Sequence, residues 1–252
     1  MRRYLAILKY LPNLFWYRLL TLLTFRRWCW FDDGTDVYKG KRVIIVGPAV
    51  SSLSYLSGAE IDSFDLVIRV NKSPHTIAGK EALIGARTDV LYHCCDEDPI
   101  TGGGVIDVAL LGKQSTKMVV YTYGEIAVAH NFYRCLFKYP ELNFFRVHHK
   151  LYRDLKRTYK SRMPTTGLQA LNHIMRSDFK ELHITGFTFF KTAYADGYRD
   201  EYKSSSEAIS LATGSGNHDP DDELRIFKEI YLSFKDSKCI YLDSALQQLM
   251  LC

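Results

Sequence analysis

The chain predicts an α/β fold: a largely parallel, Rossmann-like sheet with helices on both faces. Three observations predict it. Apolar runs of strand length alternate with segments whose apolar residues recur every three or four positions. Three of these runs are continuous rather than alternating, as in strands covered on both faces. The first run passes directly into a glycine turn, and ligands of such sheets bind just beyond the carboxyl ends of the strands.

Taken in order, residues 1–30 are basic and aromatic, with Arg2, Arg3, Lys9, Arg18, Arg26 and Arg27 preceding the first acids, Asp32 and Asp33. Lys9, Pro12 and Arg18 interrupt the apolar stretch from Tyr4 to Phe25, whereas a bilayer span needs about 20 largely uncharged residues. A secretory signal would show a clear apolar core and a small-residue cleavage site. The expectation is a helix lying in a membrane interface, on an anionic lipid surface. An ordinary helix packed on the domain and a spanning or cleaved segment are the alternatives. Residues 31–40 read as a polar linker, and 41–252 as a single domain. Strands are expected at Arg42–Val46, Leu66–Val70, Val90–His93, Met118–Thr122, Phe144–Val147, Leu182–Gly186 and Cys239–Leu242. Helical faces are marked by Leu168, Leu171 and Met175, and by Leu224, Phe227, Tyr231 and Phe234.

The bulk composition is globular: 252 residues, 47% hydrophobic and 24% charged, without repeats or low-complexity tracts. The net charge of +5 owes much to the amino-terminal segment, and no nucleic-acid partner is expected. The six cysteines form no C-x-x-C pair, so zinc-site spacing is missing and buried thiols are expected.

Three stretches carry chemistry. Val43-Ile44-Ile45-Val46 leads into Gly47-Pro48-Ala49-Val50-Ser51-Ser52, where a residue without a β-carbon lets backbone approach a nucleotide. The turn is not G-x-G-x-x-G, so a dehydrogenase-type dinucleotide site loses its main support. The second strand ends in Arg69-Val70-Asn71, and Asn71 offers both a donor and an acceptor. Pro164-Thr165-Thr166-Gly167 opens a helix, whose first-turn amides and two hydroxyls suit a carboxylate or phosphate. Asn217-His218-Asp219-Pro220-Asp221-Asp222-Glu223 is a helix start, with Asp219 placed to cap and Pro220 at the first helical position. His218 sits just outside it, 51 positions after Gly167. Its reference pKa of about 6.5 suits a general base near neutral pH.

In order and spacing these stretches resemble the large, small and very-small motifs of the eukaryotic-type sialyltransferase family, microbial and plant-type Kdo-transferring relatives included. The likeness spans Arg42 to Phe234, and Gly85-Ala86-Arg87-Thr88-Asp89 is similar to the end of the large motif. The resemblance implies a single glycosyltransferase domain of sialyltransferase type. It implies inverting transfer of sialic acid, or a related keto-acid sugar, from a CMP-sugar donor to a glycan or glycolipid hydroxyl, with no metal and no other cofactor. The H-x-x-x-x-E pattern implies His218 as base and Glu223 as a group that orients the site. It further implies that Gly47, Ser51 and Asn71 hold the CMP portion, and that Thr165, Thr166 and Gly167 meet the donor's phosphate or carboxylate. Tyr194 and Tyr198 occupy the region of the family's aromatic motif, which here has no histidine, and either can donate to a leaving phosphate. Pro48 replaces a family asparagine, which puts one donor contact and the identity of the sugar in question. The family's disulfide positions correspond to Val43 and Ser177, and the paired absence suggests a reducing compartment. The expected location is a membrane surface on the cytoplasmic face, with a Golgi-type anchor as the alternative.

Other readings have their own signals. A metal-dependent transferase of nucleoside-diphosphate sugars would use D-x-D, and Asp96-Glu97-Asp98 and Asp219-Pro220-Asp221 both fit that string. A CMP-Kdo-dependent transferase shares the anomeric carboxylate. A noncatalytic membrane-surface protein would keep the fold without the chemistry.

Overall fold

Seven parallel strands lie side by side in the order β5-β4-β3-β2-β1-β6-β7 in the computed structural model. They are β1 (Arg42–Val46), β2 (Leu66–Val70), β3 (Val90–Tyr92), β4 (Met118–Tyr121), β5 (Phe144–Arg146), β6 (Glu181–Thr185) and β7 (Ile240–Leu242). The structure describes residues 15, 16, 19, 35–100, 102–160, 163–202, 204–214 and 218–251. All seven expected strands are present, with ends that differ by at most a residue or so. The membrane-interface segment expected over 1–30 lies outside the described residues except at Phe15, Trp16 and Leu19. Among the described residues no helix is long and apolar enough to cross a membrane.

The helices are α1 (Gly58–Asp62), α2 (Glu81–Ile84), α3 (Val108–Lys113), α4 (Ile126–Lys138), α5 (His149–Thr158), α6 (Thr166–Met175), α7 (Ser205–Gly214), α8 (Pro220–Phe234) and α9 (Ser244–Leu251). Side chains of a strand alternate between faces, and β1 shows the consequence. Val43 and Ile45 join the core with Leu168 and Leu171 of α6 and Ile226 and Phe227 of α8. Ile44 and Val46 join Ile61, Phe64, Ile77 and Ile84 on the opposite face. A third cluster pairs Leu91, Val119, Tyr121 and Phe144 with Phe132, Tyr133 and Leu136 of α4. Both faces are therefore sealed by apolar side chains, which explains the continuous apolar runs.

Part of the segment expected as a linker is ordered into the core. Residues Thr35–Tyr38 form a 3-10 turn, and Tyr38 is fully buried. Its hydroxyl bonds that of Tyr92 at 2.7 Å, which in turn meets His173 Nδ1 at 2.8 Å. Val43 and Ser177, the places implied for a disulfide, are both buried, and Cys94, Cys95, Cys135 and Cys239 are free thiols.

What positions the site is the strand order. From β1 the chain lays β2 to β5 successively to one side, then returns to place β6 on the other flank of β1. The direction of progression reverses between β1 and β6, and that is where such a sheet opens a crevice. The two strands end level, with Val46 opposite Thr185. Gly47 N then donates to Thr185 O at 2.8 Å, and Ala49 N to Gly186 O at 3.0 Å.

Candidate active site

The crevice beyond β1 and β6 holds a cavity of about 180 Å³, an order of magnitude larger than a single buried water needs. Asn71, Thr165, Thr166, Gly167, Tyr194, Tyr198, His218 and Glu223 all line it. Residues spread over more than 150 positions thus meet in one cleft. Each arrives for a local reason.

Asn71 follows β2 with a positive φ of 47°, a conformation asparagine tolerates better than most residues. Its backbone amide donates to Tyr92 O at 2.8 Å, and its Oδ1 accepts from Cys94 N at 3.2 Å. The carbonyl end of the side chain is engaged, and the side chain also meets the Tyr198 hydroxyl in the cleft wall.

Thr165 is the N-cap of α6, its hydroxyl accepting from Leu168 N at 3.2 Å. The Thr166 and Gly167 amides open the first turn, where no carbonyl of the same helix can reach them. Thr166 is buried and shares a 3.2 Å hydrogen bond with the Tyr123 hydroxyl. The helix start is held from outside by Glu223. Its Oε1 accepts from Thr165 N at 2.7 Å and from the Tyr159 hydroxyl at 3.1 Å, while Oε2 accepts from the Thr165 hydroxyl at 2.6 Å. Glu223 is buried, and burial raises its pKa to about 7 against the opposing pull of those donors, with Asp222 adding a smaller upward push. Its carboxyl thereby fixes the start of α6.

His218 stands before α8, with Asp219 capping the helix through the Asp221 and Asp222 amides at 3.0 and 3.1 Å. A carbonyl only accepts, so the 2.9 Å contact with Met163 O makes His218 Nδ1 the protonated nitrogen. The lone pair is then on Nε2. Burial, and next the positive charge of Arg199, hold the imidazole pKa below 6.5, while the Met163 carbonyl pulls it upward. His218 and Glu223 are only loosely associated, 4.0 Å apart.

Gly47 and Ser51 do not line the cleft. A β-carbon on Gly47 would sit 2.3 Å from Gly186 O, so this glycine permits the close approach of two strand ends. Ser51 donates to Asp243 Oδ2 at 3.0 Å, an oxygen that also receives the Thr185 hydroxyl and Gly186 N, each at 2.9 Å. Both residues build the floor of the crevice.

Tyr194 is bridged to Ala49 in antiparallel fashion, and its ring lies 4.9 Å from that of Tyr198. Burial raises both phenol pKa values, so both hydroxyls are proton donors at neutral pH.

Residues that sequence reasoning missed include Arg199, Tyr123 and the pair Phe189-Phe190, all on the cleft wall. Phe189 and Phe190 have φ of 49° and 63°, and Lys191 N closes on Thr188 O at 2.9 Å. Two left-handed residues under such a bond make a type I′ turn, normally built from glycine and asparagine. Phe189 tolerates it because its ring packs 5.2 Å from that of Phe227. No turn signal in the sequence could have found it.

The carboxylates of the D-x-D strings are engaged locally. Asp96 Oδ1 accepts from Asp98 N at 3.3 Å, Asp98 Oδ1 from Ile100 N at 2.9 Å, and Asp221 pairs with Lys191. Among the described residues no group of three or more His, Cys, Asp or Glu gathers as a metal site.

Comparison with solved structures places this architecture. A mammalian sialyltransferase superposes with a TM-score of 0.52 over 83% of this chain and 71% of its own, at 18% identity. The fold is that of the sialyltransferases. A mammalian sialyltransferase in complex with Gal-β-1,3-GalNAc-ortho-nitrophenol gives a TM-score of 0.51 at 18% identity, over the same shares of the two chains. A variant of the sialyltransferase CstII, in complex with CMP, gives 0.52 at 15% identity over 81% of each chain. No family model matches the sequence. No curated protein matches it either.

Proposed function

We propose that this protein is an inverting glycosyltransferase of sialyltransferase type, which moves sialic acid or a related keto-acid sugar from a CMP donor to a glycan hydroxyl. His218 supplies the observation that carries the reading. It lines the cleft with Nδ1 fixed on a carbonyl and a depressed pKa, so a neutral imidazole keeps one accepting nitrogen for a substrate. In the reaction the acceptor oxygen forms a bond to the anomeric carbon as the bond from that carbon to the phosphate oxygen breaks. The acceptor's proton passes to His218 Nε2, and CMP departs with the electron pair. A single displacement inverts the anomeric centre. A base of suitable pKa contributes about 10²–10⁴ in rate to such a step.

The Asn71 side-chain amide and the Thr166 and Gly167 amides supply donors for the nucleotide and an anionic group. Tyr194 and Tyr198 supply neutral hydroxyls for the phosphate as it gains charge. The solved neighbours in complex with CMP and with a galactose-containing acceptor support this assignment of donor and acceptor classes.

A CMP-Kdo-type donor is the second reading, favoured by Pro48. It lines the cleft, and a proline ring offers no hydrogen-bond donor. The experiment is a screen of CMP-sialic acid and CMP-Kdo against simple galactosides, read by release of CMP and by NMR of the anomeric configuration. Turnover of one donor with inversion is the expected result. CMP binding without turnover of either donor would instead mark a noncatalytic member of the fold, and activity that depends on added Mn²⁺ would point to the diphosphate-sugar reading.

A further inference from the structure

Arg199 is nine-tenths buried in the wall of the cleft. Its Nη2 donates to Gly102 O at 2.8 Å, and its Nη1 donates to Ile100 O. Among the described residues no carboxylate lies within ion-pairing distance of it. The next residue, Asp200, turns its Oδ1 to Gly197 N at 2.7 Å. A buried guanidinium met by two carbonyls and the Tyr198 hydroxyl, all neutral, is an anomaly, because a desolvated charge is costly unless an opposite charge meets it. Its surroundings are the ligand-facing groups. The guanidinium carbon lies 5.8 Å from the Tyr198 ring centre, and the positive charge reaches His218 strongly enough to help depress its pKa. The two carbonyls fix the plane of the fork, and Arg199 lines the same cleft as Tyr198 and His218.

We propose that Arg199 binds an anionic oxygen group of the ligand, the donor's phosphate or its sugar carboxylate, and sets the geometry of that group relative to His218. The assignment rests on the CMP-donor reading above. A planar, permanently charged fork pairs with phosphate or carboxylate through two parallel hydrogen bonds, which a lone ammonium does not reproduce. In this chain the aromatic segment after β6 carries no histidine, and Arg199 at its end brings a cation to the same cleft as Tyr194 and Tyr198. The alternative role is a purely structural clasp on the loop from Ile100 to Gly102.

The test is calorimetric titration of wild type, Arg199→Gln and Arg199→Lys with cytidine, CMP and a CMP-keto-acid sugar, with melting curves for each protein. The expected result is a loss of about 10–100-fold in CMP affinity for Arg199→Gln with cytidine binding unchanged. Loss confined to the CMP-sugar, with CMP unaffected, identifies the carboxylate as the partner and equally supports the proposal. Arg199→Lys keeps the charge but not the fork, and should lose several-fold for the same ligand alone; it decides the matter if the glutamine variant does not fold. Parallel losses for cytidine and CMP, or no loss at all, overturn the proposal in favour of the clasp. Wild-type protein that binds none of the three ligands sinks the donor reading itself, and this assignment with it.

Discussion

Glu223 receives both the backbone amide and the hydroxyl of Thr165, at 2.7 and 2.6 Å, and so ties the start of α8 to the start of α6. The pair joins the histidine-bearing segment to the helix that presents free amides to the cleft. A buried carboxyl in this position has consequences for stability. Burial raises its pKa from 4.5 to about 7, so the folded protein holds its proton more tightly than the unfolded chain does. Stability from this group is complete below pH 4.5 and declines as pH rises to about 7, by on the order of 3 kcal/mol. Replacing it with an amide removes the ionisation while keeping an acceptor. Urea unfolding of Glu223→Gln is therefore expected to lack the decline that wild type shows across that window. Identical pH profiles for the two proteins would contradict the buried, proton-retaining carboxyl.

His218 yields a separate prediction, because its shift runs in the other direction. Its pKa lies below 6.5, through burial first and the Arg199 charge second. The neutral base is thus already dominant at neutral pH, and kcat/KM should climb through a pKa below 6.5 and level off by about pH 7. His218→Ala should lower turnover by about 10²–10⁴. Stability should fall by only about 1 kcal/mol, since the ring is half-buried and makes one hydrogen bond, to Met163 O. Near-normal turnover in that variant, or a rising limb above pH 7, would remove His218 from the chemistry.

Much of the fold was legible because its causes are local. Seven short apolar runs give seven strands, and the caps at Thr165 and Asp219 fall where the sequence puts them. Asn71, Thr166, Gly167 and His218 could be singled out because each sits at a strand end or helix start. What could not be read is contact across long separations. Ser51 looks like a turn hydroxyl free for a ligand, until Asp243, 192 positions later, claims it. Arg199 looks like one more surface arginine, until the backbone of Ile100 and Gly102 folds around it, 99 and 97 positions away. The Phe189-Phe190 turn defies local preference, and only packing on Phe227 makes it intelligible.

Asp243 is the organising group beneath the crevice. Oδ2 accepts from Ser51, Thr185 and Gly186, and Oδ1 accepts from Leu246 N at 2.7 Å. Asparagine offers one oxygen where four donors converge, so Asp243→Asn should lower unfolding free energy by roughly 2–4 kcal/mol. Ser51→Ala loses a single bond to that carboxylate, and roughly 1.5 kcal/mol is expected with the KM for donor unchanged. The contrast separates floor from ligand site: a raised KM in Ser51→Ala at normal stability would return Ser51 to the cleft.

Gly47 and Gly186 face each other where β1 and β6 end, and each is intolerant of a side chain for a reason the other supplies. A β-carbon on Gly47 meets Gly186 O at 2.3 Å, and one on Gly186 meets Gly47 O at 2.4 Å. The obstacle is backbone in both cases, so no rotamer change relieves it. Gly186 carries the additional strain of a φ of 75°, which penalises any side chain there. Gly47→Ala is expected to cost at least the roughly 1–3 kcal/mol typical of overpacking, and Gly186→Ala more. Because the two strand ends flank the crevice, the alanine variants should also widen it, and CMP affinity should fall along with the melting temperature. The order of effects in thermal melts, Gly186→Ala below Gly47→Ala below wild type, is the measurement. A Gly47→Ala protein as stable as wild type would mean that the two turns do not touch.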